Sequence, residues 1–257
     1  FSMLCNISIK IFGARPTRRA RFTAIACFSC LFRDLSLFSD SSLPFINLSR
    51  TFSISDFQRI RVIGPFRVDV IADRLTTVRG KGSNDALDRV RLDVQGQTLF
   101  VRLDRTNFGG AEDKGPPAVI TIRAPALKEA SLAGSGALSL TGMKGLRVAV
   151  VVEGSGSLSA TNVQADRMDI GVVGTGTVTL SGKARNAAIT GRGAGSVKGD
   201  ALSVDDLSVT WESAGDADLA ATRTAKITST GTGNVLVSGK PACTVNNGGN
   251  GQVTCGK

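Results

Sequence analysis

Histidine and tyrosine are absent from these 257 residues, tryptophan occurs once, and aromatic residues make up only 5%. Without histidine there is no Ser-His-Asp or Cys-His catalytic group, no imidazole acid or base, and no His-ligated zinc site. So few aromatics also exclude a core of stacked rings and a base-stacking platform for single-stranded nucleic acid. The core must come from Val, Leu, Ile and Ala. Cysteine is scarce as well: of the five, only Cys243 and Cys255 stand outside the first 50 residues. The formal charge of +10 overstates basicity. Seven of the 31 basic and two of the 21 acidic residues lie in residues 1–50, so 24 and 19 remain and residues 51–257 carry a net +5. Charges of both signs are interspersed there, which is no nucleic-acid footprint.

What is abundant is glycine, in a repeated phrase. Gly-x-Gly-x-apolar-x-apolar, complete or nearly so, begins at Gly134, Gly154, Gly174, Gly193, Ser213, Gly231 and Gly249. Successive starts lie 20, 20, 19, 20, 18 and 18 residues apart, the spacing of a short supersecondary unit stacked as a solenoid. Around each phrase the apolar residues share one parity: Val148, Val150 and Val152 before Gly154, Met168, Ile170 and Val172 before Gly174, Leu207, Val209 and Trp211 before Ser213. Leu138 and Leu140, Val178 and Leu180, Ala217 and Leu219, Val235 and Val237 follow their phrases in the same way. Period two is strand alternation with one face toward a core. Period two does not by itself separate parallel coils from tandem hairpins. Near-constant unit length with one corner each favours an all-β, right-handed parallel β-helix with coils of about 18–20 residues.

Both glycines of each phrase fall on the inward parity: Gly134 and Gly136, Gly154 and Gly156, Gly174 and Gly176, Gly193 and Gly195, Gly231 and Gly233, Gly249 and Gly251. They are expected to be corners with no interior room for a side chain. Small polar residues occupy the other parity, among them Ser135, Ser155, Ser157, Thr175, Thr177, Asp216, Asp218 and Asn234. Stacking would align them as ladders along one outer face, the expected binding face. Cys243 and Cys255 stand six residues before and six after Gly249, placed to bridge the two limbs of the last coil as a disulfide.

Residues 1–50 read as a leader with a signal peptide or as a disordered extension. Arg15, Arg18, Arg19 and Arg21 precede an apolar run over residues 22–32, the arrangement of a secretory signal and too short to span a membrane. Ser39-Asp-Ser41 is a weak cleavage site, and Cys27-Phe-Ser-Cys30 is incidental CxxC spacing within the leader. Residues 51–125 form longer, irregular strands that begin the solenoid and shield its first coil, with a hairpin turn at Gly96-Gln97 and a loop over residues 107–117. Residues 126–257 hold the regular coils.

The opening phrase Phe57-Gln-Arg-Ile-Arg-Val-Ile-Gly-Pro-Phe-Arg-Val-Asp-Val70, with Leu87-Asp-Arg-Val90, Leu99-Phe-Val-Arg-Leu103 and Ile120-Thr-Ile-Arg-Ala-Pro-Ala-Leu127 leading into Leu132-Ala-Gly-Ser-Gly136, resembles the auto-transporter adhesin head GIN domain family over residues 52–257. The resemblance implies an exported or envelope bacterial protein with a β-helical fold, and it brings no catalytic motif. The expected function is therefore a non-enzymatic surface-binding or adhesion module. Its partner would be an envelope glycan, a surface polymer or another copy of the chain, with no nucleic acid, cofactor, metal or transmembrane segment. Two alternatives stand beside it. One is a carbohydrate-active β-helix enzyme using Asp166 with Asp169, Asp205 with Asp206, or Asp216 with Asp218. The other is a self-associating structural protein of the envelope.

Overall fold

The computed structural model describes residues 48–104 and 118–256; the span up to residue 47 read as a leader and the stretch over residues 107–117 read as a loop lie outside them. Three N-terminal strands open the fold, β1 (Leu48–Phe52), β2 (Arg59–Ile63) and β3 (Arg67–Ala72). The chain then makes β4 (Thr77–Gly82), the short helix α1 (Asn84–Asp88), β5 (Val90–Gln95), β6 (Thr98–Leu103) and β7 (Val119–Ala124). Leu48, the first described residue, is already in β1, inside the span assigned to the leader. The regular part comprises β8 (Glu129–Gly134), β9 (Ala137–Thr141), β10 (Lys144–Gly154), β11 (Ser157–Gly174), β12 (Thr177–Gly193), β13 (Ser196–Ser213), β14 (Ala217–Ser229), β15 (Val235–Ser238), β16 (Ala242–Asn247) and β17 (Val253–Cys255).

From β8 onward neighbouring strands pair in parallel, one coil above the next, as a nearly all-β solenoid of about 6 turns. The seven phrases mark the corners that bound those six intervals. Each coil has two limbs. A first limb runs through β8, β10 and the later halves of β11, β12 and β13; a second runs through β9 and the earlier halves of β11 to β14. The core lies between them, and every apolar residue that period two points inward, from Leu138 to Val237, is buried. Fully burying a Val, Leu or Ile side chain is worth about 1.5–3 kcal/mol. Misfits between coils are filled by neighbours: a Cβ on Gly191 would enter the ring of Trp211, so the single large aromatic of the stack takes space that glycine leaves in the coil below.

The corner itself corrects the parity argument. The second glycine is buried in every phrase but the fifth, where Gly215 is half-buried and Ser213 is buried instead, whereas Gly134, Gly154 and Gly193 are exposed and Gly174 half-exposed. The first glycine is left-handed, with φ of 115°, 112°, 110° and 101° at these four positions. A left-handed residue turns the chain and breaks strict alternation, so only the second glycine points inward. Both need their missing side chain. A Cβ on Gly174 would lie 2.5 Å from the Gly154 carbonyl oxygen, and one on Gly156 would lie 2.6 Å from the Gly136 oxygen. Register therefore never slips here: Gly134, Gly154, Gly174, Gly193 and Ser213 stack in line. Differences in coil length are absorbed at the opposite corner, where the register shifts between Ala160 and Val163, Thr179 and Ser181, and Gly199 and Val204.

The N-terminal part follows another path. β2 and β3 form a rung directly beneath β8 and β9, with Gly64 (φ 125°) as its corner. The segment that follows in sequence moves outward: β6 and β7 stack in parallel beneath β2 and β3. Then β5 pairs antiparallel with β6, while β4 and β1 extend the other limb antiparallel. Gly96 (φ 62°) makes the β5–β6 hairpin. Ser83 caps α1 by accepting the Ala86 N–H at 3.1 Å, and Ala86 and Leu87 close the core at this end. At the far end Cys243 of β16 and Cys255 of β17 form a disulfide across the two limbs. Val245 of β16, in register with the buried Ile227, is 46% exposed.

Replacing Gly174 with Ala combines a left-handed backbone with a collision against backbone oxygen, and is expected to cost roughly 2 kcal/mol or more in urea unfolding. Gly96→Ala, which meets open space, should cost about 1 kcal/mol; equal losses would contradict the packing account. Removing both cysteines as Cys243→Ser with Cys255→Ser opens a crosslink of sequence separation 12 and should lower stability by about 2–4 kcal/mol. The increase in hydrogen exchange should be confined to β14 to β17.

Candidate binding face

The small polar residues do not form one ladder. Ser135, Ser155 and Thr175 sit at the exposed apex of the glycine corner, where the N–H groups of Ser155 and Thr175 donate to the carbonyls of Gly134 and Gly154 at 3.1 and 2.9 Å. Two residues later the chain has turned, so Ser157 and Thr177 lie on the second limb. There Ala137, Ser157, Thr177 and Ser196 are in register as one column. Beside it runs a second column of Ser139, Ser159, Thr179, Lys198 and Asp218. Sequence reading singled out Ser157, Thr177 and Asp218 but passed over Ser139, Ser159 and Thr179; the same parity, extended two residues, finds them. These columns floor a shallow groove of about 350 Å³, walled at one end by Arg67 and Asp69.

Asp216 and Asn234 belong to the face by register, but their side chains are engaged. The Asp216 carboxylate accepts the Asn234 N–H at 2.9 Å, and the Asn234 side-chain oxygen accepts the Gln252 N–H at 3.0 Å. In the shorter coils they fasten one corner to the next.

The other acids singled out in the sequence are spread over the first limb and the opposite corner, and most meet a cation. Asp169 meets Arg147 at 2.8 Å and Arg167 at 3.1 Å, Asp166 meets Arg185 at 3.7 Å, and Glu212 meets Arg192 at 3.0 Å. Asp205 accepts from Thr222, and Asp206 pairs with Arg223 and Thr224. Asp166 and Asp205 both line an open hollow of about 640 Å³, on strands two coils apart, with Arg185 on the strand between. None of the three proposed acid pairs converges on a shared cleft. The Asp206 carboxyl is held below the usual carboxylate range by hydrogen bonds from Arg223 first and Thr224 second, opposite to the direction a general acid needs. Asp73, on the N-terminal cap, is likewise lowered, by the Arg74 backbone N–H and then by Arg123. Among the described residues no cluster of three His, Cys, Asp or Glu could hold a metal ion, and no helix is long and apolar enough to cross a membrane.

Because Asp206 titrates lower in the folded chain than in the unfolded one, its ion pair stabilises above the ordinary carboxylate range and that contribution is lost as pH falls through the depressed value. The difference in melting temperature between the wild type and Asp206→Asn is expected to close on acidification from neutral pH. A difference that widens would contradict the assignment.

The folded chain is similar to several solved structures. A "putative adhesin" from Bacteroides fragilis NCTC 9343 superposes with a TM-score of 0.72 at 20% identity, covering 80% of this chain and 95% of that one. A "putative adhesin" from Parabacteroides distasonis ATCC 8503 gives 0.65 at 21% identity, with 82% and 97% covered. A "putative lipid binding protein" from the same strain gives 0.63 at 18% identity, with 81% and 96% covered. At these identities the likeness establishes the fold alone. No curated protein matches the chain. The family described as "Putative auto-transporter adhesin, head GIN domain" matches residues 56–241, which span the N-terminal rung and the stacked coils, and the chain belongs to that family.

Proposed function

We propose that this protein is a non-enzymatic binding or adhesion module of the bacterial envelope, exported to the periplasm or cell surface, and that it contacts its partner through the outer face of the second limb. The observation that carries this reading is the groove over Ser139, Ser157, Ser159, Thr177 and Thr179. Three successive coils there present only small hydroxyl and methyl groups on a rigid backbone. Such a surface lets a long partner lie close and repeat the same weak contacts coil by coil. The adhesin naming of the family agrees with it. Asp166, Asp169, Asp206 and Glu212, each paired with an arginine, and Asp216, which accepts a backbone N–H, give less support to hydrolysis or elimination. Export is supported by the leader-like composition of residues 1–50 and by the Cys243–Cys255 disulfide, a crosslink that persists in oxidising compartments.

Filling the groove with bulk and no charge, as Ser157→Gln, Ser159→Gln and Thr177→Gln together, is expected to reduce adherence of the full chain to whole bacterial cells and to arrayed envelope polysaccharides by about tenfold or more, with the melting temperature little changed. Wild-type adherence in this variant would sink the assignment of the face. Failure of the wild-type chain to adhere to either surface would sink the binding reading as a whole.

A further inference from the structure

Beyond the groove, the same limb carries an unbalanced set of cations. β4 lies antiparallel on β7, with Lys81 opposite Val119, Arg79 opposite Thr121 and Thr77 opposite Arg123. Together with the bend over residues 73–76 these strands enclose a cleft of about 500 Å³ that holds Arg74, Arg79, Lys81 and Arg123 against one carboxylate, Asp73. Asp73 is committed to Arg123 at 2.8 Å. Arg74, Arg79 and Lys81 are exposed and form no ion pair among the described residues. The first limb and the opposite corner differ: Arg147, Arg167, Arg185, Arg192 and Arg223 each meet a carboxylate on their own or a neighbouring strand.

Cleft and groove adjoin. β7 pairs with β3, which places Arg67 beside Val119 and Asp69 beside Thr121, and Arg67 with Asp69 forms the near wall of the groove. A single track thus runs along the second limb from β4 through β7, β3, β9 and β11 to β12, five strand spacings or about 24 Å. It begins in unpaired positive charge and continues over hydroxyls.

We propose that this track binds an acidic polysaccharide, with the anionic groups of the chain at Arg74, Arg79 and Lys81 and its hydroxyl groups over the Ser and Thr columns. The inference rests on the binding role proposed above and names the partner's chemistry. Among the described residues no aromatic side chain lies on this face for the stacking that usually grips neutral sugars, which leaves charge and hydrogen bonds as the attraction. Among the described residues the one acid at the cleft is Asp73, paired with Arg123, and a cleft lined mainly by one sign of charge concentrates oppositely charged ligands. A lipid surface would use the bend at Leu75, which is 73% exposed, but would leave the groove empty; continuity of cleft with groove favours a linear chain.

The test compares binding of the full chain to immobilised polygalacturonate, to neutral dextran and to vesicles of phosphatidylcholine with phosphatidylglycerol. The expected result is salt-sensitive binding to polygalacturonate over dextran and over vesicles. It should weaken about tenfold or more in Arg74→Ser/Arg79→Ser/Lys81→Ser, with thermal melting unchanged. Lys144→Ser/Lys183→Ser/Lys226→Ser removes the same charge from other faces and should leave binding as it was. Should the first triple variant not fold, Arg79→Gln alone is expected to weaken binding in the same direction by a smaller factor. Equal losses in both triple variants, no loss at the cleft, or binding to vesicles but not to polygalacturonate would each overturn the proposal. A wild-type chain that adheres to cells through the groove yet is indifferent to the cleft variant would overturn this inference and leave the adhesion reading intact.

Discussion

The close approach of backbone to backbone at the glycine corner is the constraint on which the rest of this molecule depends. The N–H groups of Ser155, Thr175, Ala194 and Ala214 each donate to the carbonyl of the first glycine one coil below, at 2.7 to 3.1 Å. A Cβ on Gly154, Gly174 or Gly193 would lie 2.8, 2.5 or 2.6 Å from the glycine oxygen below; at the fifth corner Ser213 fits, its hydroxyl donating to the Gly195 carbonyl at 2.8 Å. Because the column cannot slip, every coil starts from the same point, and inward positions one coil apart meet as Val150, Ile170, Ile189, Val209 and Ile227. The opposite corner is looser. It carries the register shifts and a left-handed Asn162 (φ 54°), and it lets coils of 18 and 20 residues stack without disturbing the core.

That division of labour also organises the exterior. On the first limb and the loose corner, stacking sets arginine beside aspartate or glutamate from coil to coil, and exposed pairs of this kind add only tenths of a kcal/mol each. They neutralise those arginines, while Lys144, Lys183 and Lys226 there meet no carboxylate among the described residues. On the second limb the columns are nearly uncharged for three coils, with a group of cations at the antiparallel cap and Lys198 and Asp218 on the two coils toward the far end. A flat neutral floor with a positive entrance is what remains available for recognition once the other carboxylates have partners.

The stack was legible in the sequence because its signal is repeated: period two, fixed spacing and the recurring glycines are set by the same geometry in every coil. Two features were obscured by the corner itself. The first glycine has the parity of a buried residue but is turned out by its left-handed backbone, and the polar residues flanking it divide between an apex and a limb. The N-terminal rung was hidden for a different reason. Gly64 is a corner of the same kind, but Phe66 takes the place of the second glycine, and the strands beneath it come from a later stretch of chain. The cationic cleft draws on Arg74, Arg79, Lys81 and Arg123, which only that rearrangement brings together. Asp216 and Asn234 looked like surface ligands, and only coordinates reveal that each holds the backbone of the next coil.

Amide hydrogen exchange resolved to single residues tests the corner column most directly. If the stack hangs on it, the amides of Ser155, Thr175, Ala194 and Ala214, although at an exposed apex, should exchange only through global unfolding, as slowly as those of the buried strands. Rapid exchange at these four amides, with the limbs still protected, would contradict the account.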